Sequence, residues 1–358
     1  MREPTRRLQS VDALRGLTVA AMLLVNDAGD WSHVHPWLEH ADWHGCTPAD
    51  FVFPFFLFIV GVSIGLSLVP QLEAGADARE LRRKAGWRGL RIVLLGLGLS
   101  AVAWLTIGGG HAYRPMGVLQ RVGVCFALGA LVAVRWRTAR AQWALIAVIL
   151  LGDWALLAAG GSLEPDANLA DRIDSWLLGS HAYLYDAASG RGRDPEGLLS
   201  TLPALATVLL GLRAAAWVRS GAMRSLLLGG ALAMAAGAAW SGVLPLNKQL
   251  WTSSYVLWTG GAAMLALAVA HGLVDQCGWP PLGPSFGLNA ITAYAGSWLA
   301  ICALEGSGVM RPLYAQAFAT PLAGFAPWVP SLAFAAAFTG AWWLAMAALH
   351  RRGWRLVI

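Results

Sequence analysis

Charge is scarce in this chain. Of its 358 residues, 13% are Asp, Glu, Lys or Arg, about half the share of an ordinary soluble domain, and 57% are hydrophobic. That composition excludes a soluble enzyme. Cysteine is equally thin: Cys46, Cys125, Cys277 and Cys302 are scattered without C-x-x-C spacing, so neither a zinc site nor a disulfide framework is expected. The histidine-rich region shows no H-E-x-x-H pair, which argues against a bound metal. No low-complexity tract sets off a soluble domain and no internal repeat is evident. A single transmembrane domain over 1–358 is the economical expectation.

Long apolar stretches fill the sequence instead. A helix needs about 20 mostly apolar residues to cross the hydrocarbon core, and ten spans are predicted at roughly 12–30, 49–69, 88–107, 116–134, 142–160, 199–217, 224–243, 251–271, 284–304 and 328–349. The expected fold is an all-α polytopic membrane protein of about ten transmembrane helices. The first span is read as a retained helix, because Asp30-Trp31-Ser32-His33 follows it where a cleavable signal would have small residues. With the N-terminus cytoplasmic, the inner segments 1–11, 70–91, 135–141, 213–224, 272–283 and 350–358 hold 18 of the 26 basic residues. By the positive-inside rule both termini are cytoplasmic. The net charge of +6 follows from that bias and suggests anionic lipid as partner, not nucleic acid. The longer outer segments are 27–48, 161–198 and 305–327.

Segment 27–48, DAGDWSHVHPWLEHADWHGCTP, holds four of the eight histidines, His33, His35, His40 and His44. An interfacial loop would account for its tryptophans. The histidines favour function: zinc binding is the weaker option for want of helical ligand spacing, and general base catalysis suits a single placed imidazole. Ionisable residues within spans are functional candidates by default. Asp12 and Arg15, three apart, share a helical face and can pair. Asp50 meets the positive end of a helix dipole, where capping competes with chemistry. Arg121 and Asp153 lie deeper and either pair or face a cavity. Lys248 is one of few external cations.

An ordered series of motifs then carries a resemblance. Arg7-Leu8-Gln9-Ser10-Val11-Asp12-Ala13-Leu14-Arg15-Gly16, Val25-Asn26, His40-Ala41-Asp42-Trp43-His44-Gly45, Asp50-Phe51-Val52-Phe53-Pro54-Phe55, Gly117-Val118-Leu119-Gln120-Arg121, Asp194-Pro195-Glu196-Gly197 and Asn247-Lys248-Gln249-Leu250-Trp251 resemble the heparan-alpha-glucosaminide N-acetyltransferase family and its bacterial relatives over almost the whole chain. The resemblance implies a transmembrane acyltransferase bundle. It implies transfer of an acetyl group from cytoplasmic acetyl-CoA to the amine of a terminal glucosamine across the membrane, with acetyl-CoA as co-substrate and no metal. The eukaryotic members carry an extra luminal domain and a leading helix with no counterpart expected here. The expected acceptor is therefore glucosamine, a chitosan or peptidoglycan fragment, or another amino sugar outside a bacterial inner membrane.

The family's catalytic histidine falls on His40 and its asparagine on Asn26. The spacing from Arg15 to Asn26 is similar to an Arg-x10-His element of the broader membrane acyltransferase group, with Asn in place of His. Asp42 and His44 stand where the eukaryotic element has Ser and Asn. The catalytic set implied is His40, Asn26 and Asp50. The acyl donor is assigned to Arg15, Lys84, Arg88, Arg91 and Arg121, and the acceptor to Asp42, Trp43, Asn247 and Lys248. Direct transfer and a route through acetyl-histidine both stay open, a homodimer is a further expectation, and a secondary transporter of amino sugars is the competing reading.

Overall fold

A computed structural model describes residues 8–354 of the chain. The basic residues Arg2, Arg6, Arg7 and Arg355, part of the inner-face bias, lie outside the described residues. The protein is all-α and polytopic. The helices are α1 Gln9–Asn26, α2 Val52–Glu73, α3 Ala78–Ile107, α4 Val118–Arg135, α5 Ala139–Ala159, α6 Leu169–Leu178, α7 Leu198–Arg219, α8 Met223–Trp240, α9 Ser253–Ala270, α10 Pro284–Leu288, α11 Ala290–Gly306, α12 Met310–Tyr314 and α13 Trp328–Arg351. Among the described residues a single hairpin pairs β1 Leu184–Asp186 with β2 Arg191–Arg193 antiparallel.

Among the described residues, eight helices are long and apolar enough to cross a membrane: α2 to α5, α7 to α9 and α13, with α2 counted from Pro48 and α9 extended to Gln276. The other two predicted spans are helical but less simple. Span 12–30 ends at Asn26, because α1 stops there and Asp27 caps it. Span 284–304 is broken at Asn289 into α10 and α11. Segment 161–198 is structured rather than an open loop: it contains α6 and the hairpin, with Asn168 capping α6 by accepting the Asp171 N–H at 2.8 Å.

The chain divides into two compact units, one of His40–Ala262 and one built from the residues up to Glu39 together with those from Ala263 onward. In the second of these, the start of α1 is secured from far away in sequence. Asp275 accepts the Gln9 and Ser10 N–H groups at 3.0 and 3.3 Å and also the Ser10 hydroxyl, filling the cap role that Leu8 cannot. Arg15 pairs with Asp12, as the spacing predicts, and its Nε donates to the Gly287 carbonyl.

In the His40–Ala262 unit, α2 packs along α7, α3 along α4, and α4 against both α2 and α7. The α2–α7 seam depends on Gly61 and Gly211. A Cβ on Gly61 would collide with the Val208 carbonyl, and one on Gly211 with the Phe58 carbonyl. Small residues let helix backbones touch where lipid offers no hydrophobic drive to association. The antiparallel connections put the first turns of α2, α4, α7 and α9 at one end of this unit, and that end carries the candidate site.

Candidate active site

The site grows from a helix start. Pro48–Phe51 forms a single helical turn leading into α2, with Thr47 and Asp50 in a reciprocal capping box. The Asp50 Oδ2 accepts the Thr47 N–H at 2.9 Å, the Thr47 hydroxyl at 3.1 Å and the Ala41 N–H at 3.1 Å. Its other oxygen, Oδ1, lies 2.8 Å from His40 Nδ1. The side chain of Asp50 is 1% exposed and that of His40 41%. An ionised carboxylate only accepts, so Nδ1 carries the proton and Nε2 is left with its lone pair. That is the geometry of a general base whose tautomer is held by a buried acid.

Lys248 reaches the same point. Its Nζ is 2.9 Å from each ring nitrogen of His40 and 3.7 Å from Asp50 Oδ1. Burial pulls the Lys248 ammonium below the ordinary lysine range, while Asp50 and Glu196 pull it back. Cys46 is a free thiol in this neighbourhood. Burial, with Asp50 nearby, pushes it up to about 12, which makes it a poor nucleophile.

A second buried group lies at the same end. Arg121, near the start of α4, is 1% exposed. Its Nη2 donates to the Ser200 hydroxyl at 2.5 Å and to the Gly197 carbonyl at 3.3 Å, whereas Nε and Nη1 have no hydrogen-bond partner among the described residues. The guanidinium stands 5.1 Å from the Trp251 ring and 6.0 Å from that of Phe53. Trp251 adopts φ +54°, an uncommon conformation for a bulky residue. Its fully buried indole, edge-on to Phe53 and Tyr255, donates from Nε1 to the Thr207 hydroxyl at 3.1 Å. Arg121 does not pair with Asp153. Asp153 accepts from the Ser253 hydroxyl at 3.1 Å, because the first turn of α9 faces it.

The third layer is ionic. Arg114 donates to both Asp194 oxygens, at 2.8 and 2.5 Å, and to Glu196. Burial alone would push Glu196 up, but Arg114, Arg121 and Lys248 outweigh it and hold the carboxyl below the usual range.

A family model described as "Heparan-alpha-glucosaminide N-acetyltransferase, catalytic" matches residues 7–242. The chain belongs to this family. The human heparan-alpha-glucosaminide N-acetyltransferase is 28% identical over 359 residues, covering 81% of this chain and 52% of the human protein. The mouse heparan-alpha-glucosaminide N-acetyltransferase is 28% identical over 363 residues, covering 82% and 54% respectively. The chain spans about half the length of the curated relatives it matches.

Within this heparan-alpha-glucosaminide N-acetyltransferase family chain, the predicted site residues fall into several places. His40, Asp50 and Lys248 meet directly. Asn26, the last residue of α1, and Arg15 belong to the other unit, as do His33, which pairs with Asp30 at 2.8 Å, and His35, whose ring meets Trp328. Trp43 Nε1 donates to the Leu163 carbonyl at 2.9 Å, and Arg193 lies 5.6 Å from its ring. Asp42 is exposed, its carbonyl accepting from Gln249 at 3.3 Å. Asn247 is fully buried: its Oδ1 accepts the Leu250 N–H at 2.8 Å and its Nδ2 lies 3.4 Å from His44 Nδ1. Lys84, Arg88 and Arg91 are exposed along the first half of α3, at the end of the unit away from Asp50. Lys84 pairs with Glu80 at 2.7 Å, and Arg88 lies 5.2 Å from the Phe126 ring.

Sequence reasoning gave no role to Tyr255, Arg114 or Ser200. Ser200 and Tyr255 lie a few residues beyond the Asp194–Gly197 and Asn247–Trp251 motifs, and Arg114 sits in a loop without a chemical signature.

Proposed function

We propose that this chain is an acetyl-CoA-dependent N-acetyltransferase that acylates the amine of a glucosamine-type sugar on the outer side of a bacterial inner membrane, with His40 as general base. The observation that carries this reading is the His40–Asp50 pair at 2.8 Å, with the acid buried and the ring open to solvent. The amine nitrogen attacks the thioester carbonyl carbon, the carbon–sulfur bond breaks, and the amine proton passes to His40 Nε2 and then to the departing thiolate. Asp50 holds the tautomer and stabilises the imidazolium.

Arg121 suits the acyl donor's carbonyl or pantetheine amide better than its phosphates. It lies at the His40 end and presents two buried donor nitrogens without partners among the described residues, and orphaned buried donors call for a ligand acceptor. Lys84, Arg88 and Arg91 are assigned the nucleotide phosphates, as is Arg15. Asp42 and Trp43 are assigned the acceptor, Asn247 the loop that brings Lys248 to the His40 ring, and Asn26 keeps the role that the resemblance implies. Both termini are cytoplasmic in this arrangement, by the basic-residue bias.

The test uses purified protein with labelled acetyl-CoA and glucosamine. Wild type transfers label to the sugar, His40→Ala transfers none, and Asp50→Asn loses at least about a hundredfold. Transfer undiminished in His40→Ala would remove that residue from the role. Uptake of glucosamine into liposomes without acetylation would replace the enzyme with a transporter.

A further inference from the structure

Lys248 touches His40 in a way that ordinary hydrogen bonding does not explain. Its Nζ is 2.9 Å from Nδ1 and 2.9 Å from Nε2. The lone-pair directions of the two ring nitrogens diverge within the ring plane, so one atom equally close to both lies on neither direction. In the plane itself, that position would run into the Cε1–H between them. The ammonium nitrogen therefore stands over the ring face. Nδ1 is left to Asp50 at 2.8 Å, and the in-plane direction of Nε2 is left open for an incoming amine.

We infer that Lys248 is a positioning residue acting through His40: its charge opposes protonation of the imidazole, which Asp50 favours, and so keeps Nε2 free to take the proton of the acceptor amine. The inference rests on His40 being the base of the proposed acyl transfer. A carboxylate 2.8 Å from the ring would otherwise draw a second proton onto it, and a protonated imidazole cannot act as base. A cation at contact distance is the direct counterweight.

The surroundings keep the ammonium where it is. The side chain of Lys248 is 18% exposed, so little solvent screens its charge. The groups facing the Lys248–His40 pair are Asp50, Glu196 and Cys46. Cys46 stays protonated, and Glu196 is shared with Arg114 and Arg121, so Asp50 is the close anion and Lys248 the close cation. Asp50 Oδ1 lies 3.7 Å from the amine and attracts it.

Diethyl pyrocarbonate attacks only unprotonated imidazole, and peptide mass spectrometry reads its rate at each histidine of the full chain as pH is varied. The measurement needs no acyl transfer. Lys248→Met is expected to move the His40 midpoint up by about one pH unit, a tenfold change in proton affinity, and Lys248→Arg to leave it within a few tenths. In the acetylation assay the acid limb of kcat/KM moves with it, and kcat near pH 7 falls more than KM for glucosamine rises. An unchanged or lowered midpoint in Lys248→Met overturns the inference. His33, exposed and paired only locally, serves as the reagent control, and thermal unfolding in detergent reports whether the variant is folded. If Lys248→Met is not, Lys248→Gln carries the same expectation and the same refutation. A shifted midpoint in a protein that transfers no acetyl group would refute the acyl-transfer reading while leaving the electrostatic relation intact.

Discussion

The Tyr255 hydroxyl donates to the main-chain carbonyl of Asp50 at 2.5 Å, tying the first turn of α9 to the turn that opens α2. Both residues are fully buried. The bond fixes the backbone that aims the Asp50 carboxylate at His40. Tyr255→Phe leaves a buried carbonyl without its donor, which costs about 1–3 kcal/mol. The expected result is a lower melting temperature and a several-fold fall in kcat with KM for acetyl-CoA little changed, measured by thermal unfolding in detergent and by steady-state kinetics.

Arg121→Lys keeps a cation but cannot present the Nε and Nη1 pair. On the donor-binding role proposed for Arg121, two charge-assisted hydrogen bonds would then be lost, each worth about 1.5–3 kcal/mol. KM for acetyl-CoA should rise at least about tenfold and KM for glucosamine much less. The ligand-induced thermal shift with acetyl-CoA should shrink in parallel. Equal effects on both substrates would place Arg121 outside the donor site.

Arg114 neutralises Asp194 and Glu196 together. Removing one partner of a buried ionic group strands the rest, at roughly 3–5 kcal/mol. Arg114→Met should therefore unfold well below wild type, and the triple variant that adds Asp194→Asn and Glu196→Gln should recover most of the loss. Thermal melts at fixed pH check both halves.

Asp174 on α6 accepts the Leu198 N–H at 3.1 Å, and burial pushes its carboxyl up to about 6 from 3.8. The folded chain holds this proton more tightly than the unfolded chain does. The stability it contributes is thus full below about pH 4 and lost as pH rises through about 6. The difference corresponds to about 3 kcal/mol at most. Asp174→Asn keeps the acceptor without the charge, and should melt a few degrees above wild type near pH 7.5 and no higher than wild type near pH 4. A gain that persists at low pH would exclude the carboxyl as its source.

The helices were legible because ten apolar stretches of spanning length stand between short polar links, and each coincides with helix in the structure. Two departures have local causes. Asn289 interrupts what reads as one span, and the polar composition of 161–198 conceals a capped helix and a hairpin. In the site, resemblance singled out His40, and the ten-residue separation from Asp50 is closed by the Thr47 capping box, a pattern that local sequence does carry. The partnership with Lys248 joins residues 208 apart, and that of Arg121 with Ser200 joins residues 79 apart. No periodicity encodes such contacts, since they arise only when the starts of α2, α4, α7 and α9 converge. The suggested pairing of Arg121 with Asp153 failed for the same reason: depth within a span does not say which neighbour a side chain faces.

At Gly61 and Gly211, α2 and α7 meet backbone to backbone, with no side chain between them that a rotamer change could rearrange. Those helices carry Asp50's turn at one start and Ser200 at the other. Their seam behaves as a weld: the two helices can travel together but not slide or part. The spacing between Asp50 and Ser200, and with it the placing of the Arg121 side chain that Ser200 holds, is accordingly set by the fold, and any rearrangement at this end of the unit has to fall to segments beyond the weld.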